Sequence, residues 1–369
     1  MTGQQMGRRT QQLLLAVSSL LLSIVLILLG LELALRLTYA KRISQERARQ
    51  GVANGEERFW ATYDADLGYK LTPGFGEVND SGYLGRELGE KGERFRILLL
   101  GDSLGFDGDN AGDTYVGRLE SALASDSDLV PLEVVNASVS GYTNYQELLY
   151  LRKFGLDFEP DLVGVGFVLN DLHRFLQSFQ VEDGRIIGEG HAFTQEAEQG
   201  IGHPLFRLAR KSRALLWLKD RFSILGSAAE LASPGGYTFE YRPDFASAWQ
   251  SESWGPIEEQ LGEMAQLADE HGFKLFVHLF PYAQQLRSDY LERDREYVLE
   301  PQRRLRTICK RLAIPFLDLT PHLALDRHFL EDDVHLTREG RQVVAERLSL
   351  FLREARLVPQ PESESDSTQ

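Results

Sequence analysis

The chain has 369 residues, room for one large domain or two small ones, and 43% apolar side chains, enough to build a core. A net charge of −15 and no Lys/Arg cluster interleaved with aromatics speak against a nucleic-acid partner, because phosphate binding needs a basic footprint. A single cysteine, Cys309, excludes an internal disulfide and is expected as a buried thiol on a helix.

Residues 1–11 form a short N-terminus whose opening MTGQQMGR resembles an expression-tag fragment. Leu13 to Leu31 carries no charge, and Ser18, Ser19 and Ser23 are its polar side chains. About 20 apolar residues span a bilayer core, so residues 12–38 are predicted as one transmembrane signal anchor, with a cleaved signal peptide as the alternative. Arg8 and Arg9 precede the stretch, but Arg36, Lys41, Arg42, Arg47 and Arg49 follow it, so the positive-inside rule gives a mixed answer. Residues 39–93 read as a polar stalk followed by an irregular, glycine-rich lead-in.

From Phe95 onward apolar runs alternate with amphipathic segments. Strands are predicted at Arg96–Leu100, Leu132–Val135, Leu162–Val168, Lys274–Phe280 and Pro315–Leu319. Asp113 is expected to cap a helix carrying Val116, Leu119 and Leu123. Thr143 is expected to cap one carrying Tyr145, Leu148 and Leu149. Another helix covers Ile257 to His271, and Thr337 caps a last one with Val344, Leu348, Phe351 and Leu352 on one face. Such β–α alternation predicts a parallel sheet with helices on both sides, over residues 94–357. An insertion at about 172–251, with a basic amphipathic helix from Pro204 to Phe222, reads as a lid or a packed helix. Residues 358–369 read as a disordered acidic tail.

Ligands in open α/β sheets bind beyond the carboxyl ends of the strands. Polar signals fall there: Gly101-Asp102-Ser103 after the first strand, Asn136 then Ser140-Gly141 after the second, and Asn170-Asp171 after the third. Asp332-Asp333-Val334-His335 follows the fifth. Each alone is a common turn, but the four in this order are hard to explain as turns.

These motifs resemble those of the SGNH (GDSL-type) hydrolases over roughly Arg96 to Leu352: GDSLGFDG, NASVSGYTNYQ, GFVLND and DDVHLTREG. The lead-in LGYKLTPGFGEVNDSGYLGRE resembles the segment preceding the catalytic domain of membrane-anchored bacterial members, with Leu84 where those often carry Arg. The resemblance implies a three-layer αβα sandwich with a flavodoxin-like, five-stranded parallel sheet. It implies Ser103 as nucleophile, His335 as base and Asp332 as its partner. The backbone N–H groups of Ser103 and Gly141 and the side chain of Asn170 would form the oxyanion hole.

The chemistry is consistent with that assignment. A serine hydroxyl needs a base within hydrogen-bond reach, and histidine titrates near neutrality. A carboxylate on the far ring nitrogen fixes the tautomer. Asp332 and Asp333 both lie on the right loop, and the family spacing favours Asp332. Glycine at 141 permits close backbone approach, and an amide at 170 donates without charge. Asp171, His173 and Tyr282 are expected as weaker substrate contacts, and His278 as a core histidine. No metal-ligand spacing or phosphate loop is present, so no metal or cofactor is expected.

The expected function is that of an ester hydrolase working through an acyl-enzyme on Ser103. The resemblance and the anchor point to acetyl or other short acyl groups on cell-envelope carbohydrate, outside the membrane on the periplasmic or extracellular side. The alternatives are an O-acetyltransferase and a non-catalytic, membrane-tethered glycan-binding protein on a hydrolase scaffold.

Overall fold

The computed structural model describes residues 59–126, 129–182, 185–191, 237–242 and 244–359, with isolated positions between 18 and 57. The chain divides into two compact units, Met1–Arg58 with Glu196–Ala232, and Phe59–Gln195 with Ser233–Gln369. In the first unit, Val52–Ala53 pairs antiparallel with Glu56–Glu57. Most of the predicted anchor lies outside the described residues. Those that fall within it, such as Ser23, Leu26 and Ile27, are helical. Among the described residues no helix is long and apolar enough to cross a membrane. The predicted helix Pro204 to Phe222 and the tail beyond Pro359 also lie outside them.

The second unit begins with a hairpin of β1 (Ala61–Asp64) and β2 (Gly68–Leu71), where the sequence suggested irregular chain. The alternating core follows as β3 (Phe95–Gly101), α1 (Ser103–Phe106), α2 (Tyr115–Ala124), β4 (Leu132–Asn136), α3 (Asn144–Lys153) and β5 (Leu162–Phe167). A second hairpin, β6 (Gln177–Glu182) with β7 (Arg185–His191), opens the insertion. Then come α4 (Trp254–His271), β8 (Lys274–Leu279), α5 (Ser288–Val298), α6 (Glu300–Arg311), β9 (Phe316–Asp318), α7 (Leu325–His328) and α8 (Arg338–Glu354).

The central sheet runs β9-β8-β5-β3-β4, and every pairing is parallel. This is the flavodoxin-like order, in which the first strand lies between the second and the third. The order of connection reverses between β3 and β5, which opens a crevice at their carboxyl ends. Strands β3 and β5 are buried almost throughout, as expected for a sheet covered on both faces. Alternation along the strands assigns those faces. Phe276 and His278 point to one, where Phe276 meets Phe351 of α8 and His278 meets Tyr115 of α2. Phe167 points to the other and stacks on Trp254 of α4.

The structure corrects two predicted caps. Thr114, not Asp113, caps α2 by accepting from the Gly117 N–H. Asp113 instead pairs with Arg118 and Arg341. Thr143 stands at the start of α3, but its hydroxyl donates to the Arg174 carbonyl at 3.1 Å rather than capping the backbone. Thr337 does cap α8, through the Gly340 N–H at 3.1 Å. Helix α5 has no counterpart among the predicted elements, whereas α6 is the helix expected to carry Cys309. Helix α6 buries Leu305, Ile308 and Cys309, and burial pushes the Cys309 thiol up to about 12.

Candidate active site

Strand β3 ends at Gly101, and the chain turns into α1 with Asp102 as its N-cap, whose Oδ1 accepts from the Leu104 N–H at 2.9 Å. That turn lifts Ser103 above the sheet edge. The next loop fastens the turn: the Asn136 amide donates to the Gly105 carbonyl at 2.8 Å, and Asn136 Oδ1 accepts from the Ser138 N–H. Packing beneath α1 leaves no space for a side chain at 105, since a Cβ there would lie 2.0 Å from Ser138 Oγ.

His335 arrives from the loop before α8. Leu330 and His335 close that loop by a backbone hydrogen bond, and Phe329 bridges to Leu336. Asp332 folds back on the loop, its Oδ1 accepting from the N–H groups of Val334 and His335 at 3.0 and 2.9 Å. Its other oxygen lies 2.6 Å from His335 Nδ1, and His335 Nε2 lies 2.9 Å from Ser103 Oγ. Hydroxyl, imidazole and carboxylate thus form one hydrogen-bonded chain. The rival carboxylate is turned away: Asp333 has a left-handed backbone, φ 65°, and accepts from the Gln284 amide at 2.8 Å.

Electrostatics favour a charged imidazole. Burial by itself would lower the His335 pKa. The hydrogen bond that His335 donates to Asp332 and the charges of Asp107, Asp332 and Asp102 outweigh it and raise the pKa above the usual 6.5. Asp332 is held below the ordinary carboxylate range, its burial overcome by the hydrogen bonds from His335 and Val334. Burial pushes Asp102 up to about 6.

Gly141 and Asn170 stand beyond β4 and β5, the two strands flanking β3. Gly141 is left-handed, φ 78°, and a Cβ there would lie 2.6 Å from the Gln177 side chain. The Asn170 Oδ1 is buried without a hydrogen-bond partner among the described residues.

The weaker expectations fare differently. Asp171 is fully buried and accepts from the Val168 N–H at 2.7 Å, bracing the loop of Asn170. Tyr282 is buried and stacks on Phe245, with centroids 4.6 Å apart. Neither of these two expected substrate contacts presents a solvent-facing side chain in this structure. His173 is half-buried, its Nε2 near Ser247 Oγ at 3.0 Å and the Asp244 carbonyl at 3.2 Å. His278 is a core histidine, 3.1 Å from the Tyr115 hydroxyl, with its pKa pressed to about 3 by burial.

Three features of the site were not singled out in the sequence. Asp107 Oδ2 lies 3.9 Å from His335 Nε2. Glu147 on α3 is fully buried, and neither of its carboxylate oxygens has a partner among the described residues. The lead-in packs on the loop of Gly141, the Tyr69 hydroxyl donating to the Ser140 carbonyl at 2.8 Å. A cavity of about 1000 Å³ lies between α5, α6 and α7, and includes none of Ser103, Asp332 and His335.

A profile of the GDSL-like lipase/acylhydrolase family matches residues 99–343. No curated protein matches the chain at a significant level. Among solved structures, the chain is similar to a lipase/acylhydrolase from Enterococcus faecalis, at 16% identity and a TM-score of 0.40, over 73% of this chain and 100% of that one. It is similar to the acetyl xylan esterase AlAXEase, at 16% identity and a TM-score of 0.39, over 69% of this chain and 98% of that one. An acetylxylan esterase from Geobacillus stearothermophilus matches at 14% identity and a TM-score of 0.39, over 70% of this chain and 93% of that one. The family match takes in more than half of the chain, from within β3 to within α8. The protein therefore belongs to the GDSL-like lipase/acylhydrolase family and is an ester-hydrolysing enzyme.

Proposed function

We propose that this enzyme removes acetyl or other short acyl groups from cell-envelope carbohydrate through an acyl-enzyme on Ser103. The observation that carries the reading is the hydrogen-bonded chain from Ser103 Oγ through His335 to Asp332. His335 takes the Ser103 proton as Oγ attacks the acyl carbonyl, and Asp332 stabilises the imidazolium that forms. The Ser103 and Gly141 N–H groups and the Asn170 side-chain amide receive the developing oxyanion, each contributing about 3 kcal/mol. The imidazolium then protonates the leaving alkoxide oxygen, which departs as the alcohol, and water releases the acyl group.

The carbohydrate substrate is supported by the likeness of the lead-in to that of membrane-anchored bacterial members. The apolar stretch 12–38 is proposed to tether the enzyme, with its hydrolase domain on the periplasmic or extracellular side. The test is a serine-reactive fluorophosphonate followed by peptide mapping. It is paired with acetate release from an O-acetylated oligosaccharide and fatty-acid release from a long-chain lipid ester. Label on Ser103 and preference for the oligosaccharide support the reading. Label elsewhere ends the Ser103 assignment, and preference for the lipid ester ends the carbohydrate one.

A further inference from the structure

In an acyl-enzyme cycle the second half-reaction needs a hydroxyl that attacks the Ser103 ester while giving its proton to His335 Nε2. Whatever molecule does so must sit beside that nitrogen. Asp107 Oδ2 is 3.9 Å from the same atom. The gap is too long for a direct hydrogen bond but suits one water bonded to both. Two hydrogen bonds of about 2.8 Å to acceptors that far apart open an angle of roughly 90° at the water oxygen, near the H–O–H angle.

Asp107 is placed for this by the backbone. It is the C-cap of α1, and its N–H donates to the Ser103 carbonyl at 2.8 Å, so its backbone is held close to the nucleophile. The side chain is 43% exposed, so water reaches it. Around this corner of the imidazole, Asp332 holds the far nitrogen, Asp102 lies beneath, and Arg341 of α8 acts on Asp107 through its charge.

We propose that Asp107 seats the attacking water for deacylation and thereby favours hydrolysis over acyl transfer to an alcohol. The proposal rests on the acyl-enzyme reading above. Water has two protons and can satisfy both acceptors. An alcohol has one, which must go to Nε2, and its carbon substituent leaves Asp107 unpaired. As the water oxygen bonds to the acyl carbon, one proton moves to Nε2 and the other stays hydrogen-bonded to Asp107. Collapse breaks the bond from acyl carbon to Oγ, the Nε2 proton returns to Ser103, and the free acid leaves.

The experiment follows product partition with p-nitrophenyl acetate at a fixed methanol concentration, comparing wild type, Asp107→Ala and Asp107→Asn. Both nucleophiles use the same His335 base, so a change in its strength cancels in the ratio of methyl acetate to acetate. A hydrogen bond to a charged group is worth about tenfold or more, so Asp107→Ala should raise the ratio at least about fivefold. Asp107→Asn, which keeps the shape and one acceptor oxygen, should fall between. Fluorophosphonate labelling at Ser103 in all three, at whatever rate, shows that the site is built. Such labelling with an unchanged ratio overturns the role of Asp107 alone. A wild type that does not label at Ser103 overturns the acyl-enzyme reading, and this inference with it.

Discussion

The Nε2 of His335 lies 2.9 Å from the Oγ of Ser103 across 232 positions of sequence. Neither residue is held by its neighbours alone. The serine is set by the turn from β3 into α1, and the histidine by the closed loop ahead of α8. Ser103→Ala should lower ester turnover about 10³-fold or more, since nucleophile and base act as a unit. The melting temperature should stay close to wild type. Residual turnover within tenfold of wild type would place the nucleophile elsewhere.

The two adjacent aspartates should separate cleanly. Asp332→Asn replaces the acceptor at His335 Nδ1 and should cost about 10³-fold in kcat, by permitting the wrong tautomer. Asp333→Asn changes only a contact to Gln284 and should remain within about threefold. Steady-state kinetics of both variants decide the matter, and equal losses would contradict the geometry.

Activity should fall on acidification with an inflection above pH 6.5. The neutral imidazole is the competent base, and its folded pKa is raised by Asp332, Asp107 and Asp102. Replacing Asp107 by Asn removes one of those charges and should move the inflection to lower pH. A kcat/KM profile of each protein measures this, and coincident inflections would refute it.

Gly141→Ala should be costly for two separable reasons. A left-handed backbone at φ 78° strains any Cβ-bearing residue by about 1 kcal/mol, and the new methyl would also lie 2.6 Å from the Gln177 side chain. Adding Gln177→Ala should recover part of the lost stability by removing the clash, leaving the backbone strain. Thermal melts of the single and double variants test this, and complete recovery would show that strain contributes nothing.

Glu147 is buried with no hydrogen-bond partner for its carboxylate among the described residues, and burial raises its pKa well above the usual value. The folded state therefore holds this proton more tightly than the unfolded chain. The contribution to stability is full below the unfolded carboxylate pKa and is lost as pH rises toward the folded one. Glu147→Gln keeps the shape and should flatten that decline, by up to about 1.4 kcal/mol per pH unit. Denaturation midpoints from pH 5 to 8 provide the check, and parallel curves would argue against it.

Much of this architecture can be read in one dimension. Apolar runs such as Leu162–Phe167 declare strands buried on both faces, and residues at strand ends are exposed to ligand by the topology of any parallel sheet. Ser103, Gly141, Asn170 and His335 could be singled out for that reason. The hairpins β1–β2 and β6–β7 could not, because their short strands gain stability from packing on one another and on neighbouring loops. Helix α5 was hidden for a similar reason, being mostly polar with Tyr290 and Val298 as its buried residues.

The sequence by itself determined which chemical groups are present and the local turns that present them, since turn and strand preferences act over a few residues. The tertiary structure decided which groups meet. It chose Asp332 over Asp333 by a left-handed turn, buried Asp171 and Tyr282 away from solvent, and brought Asp107 beside His335. Contacts of this kind depend on long-range packing and on distances of a few ångströms, which no spacing along the chain encodes.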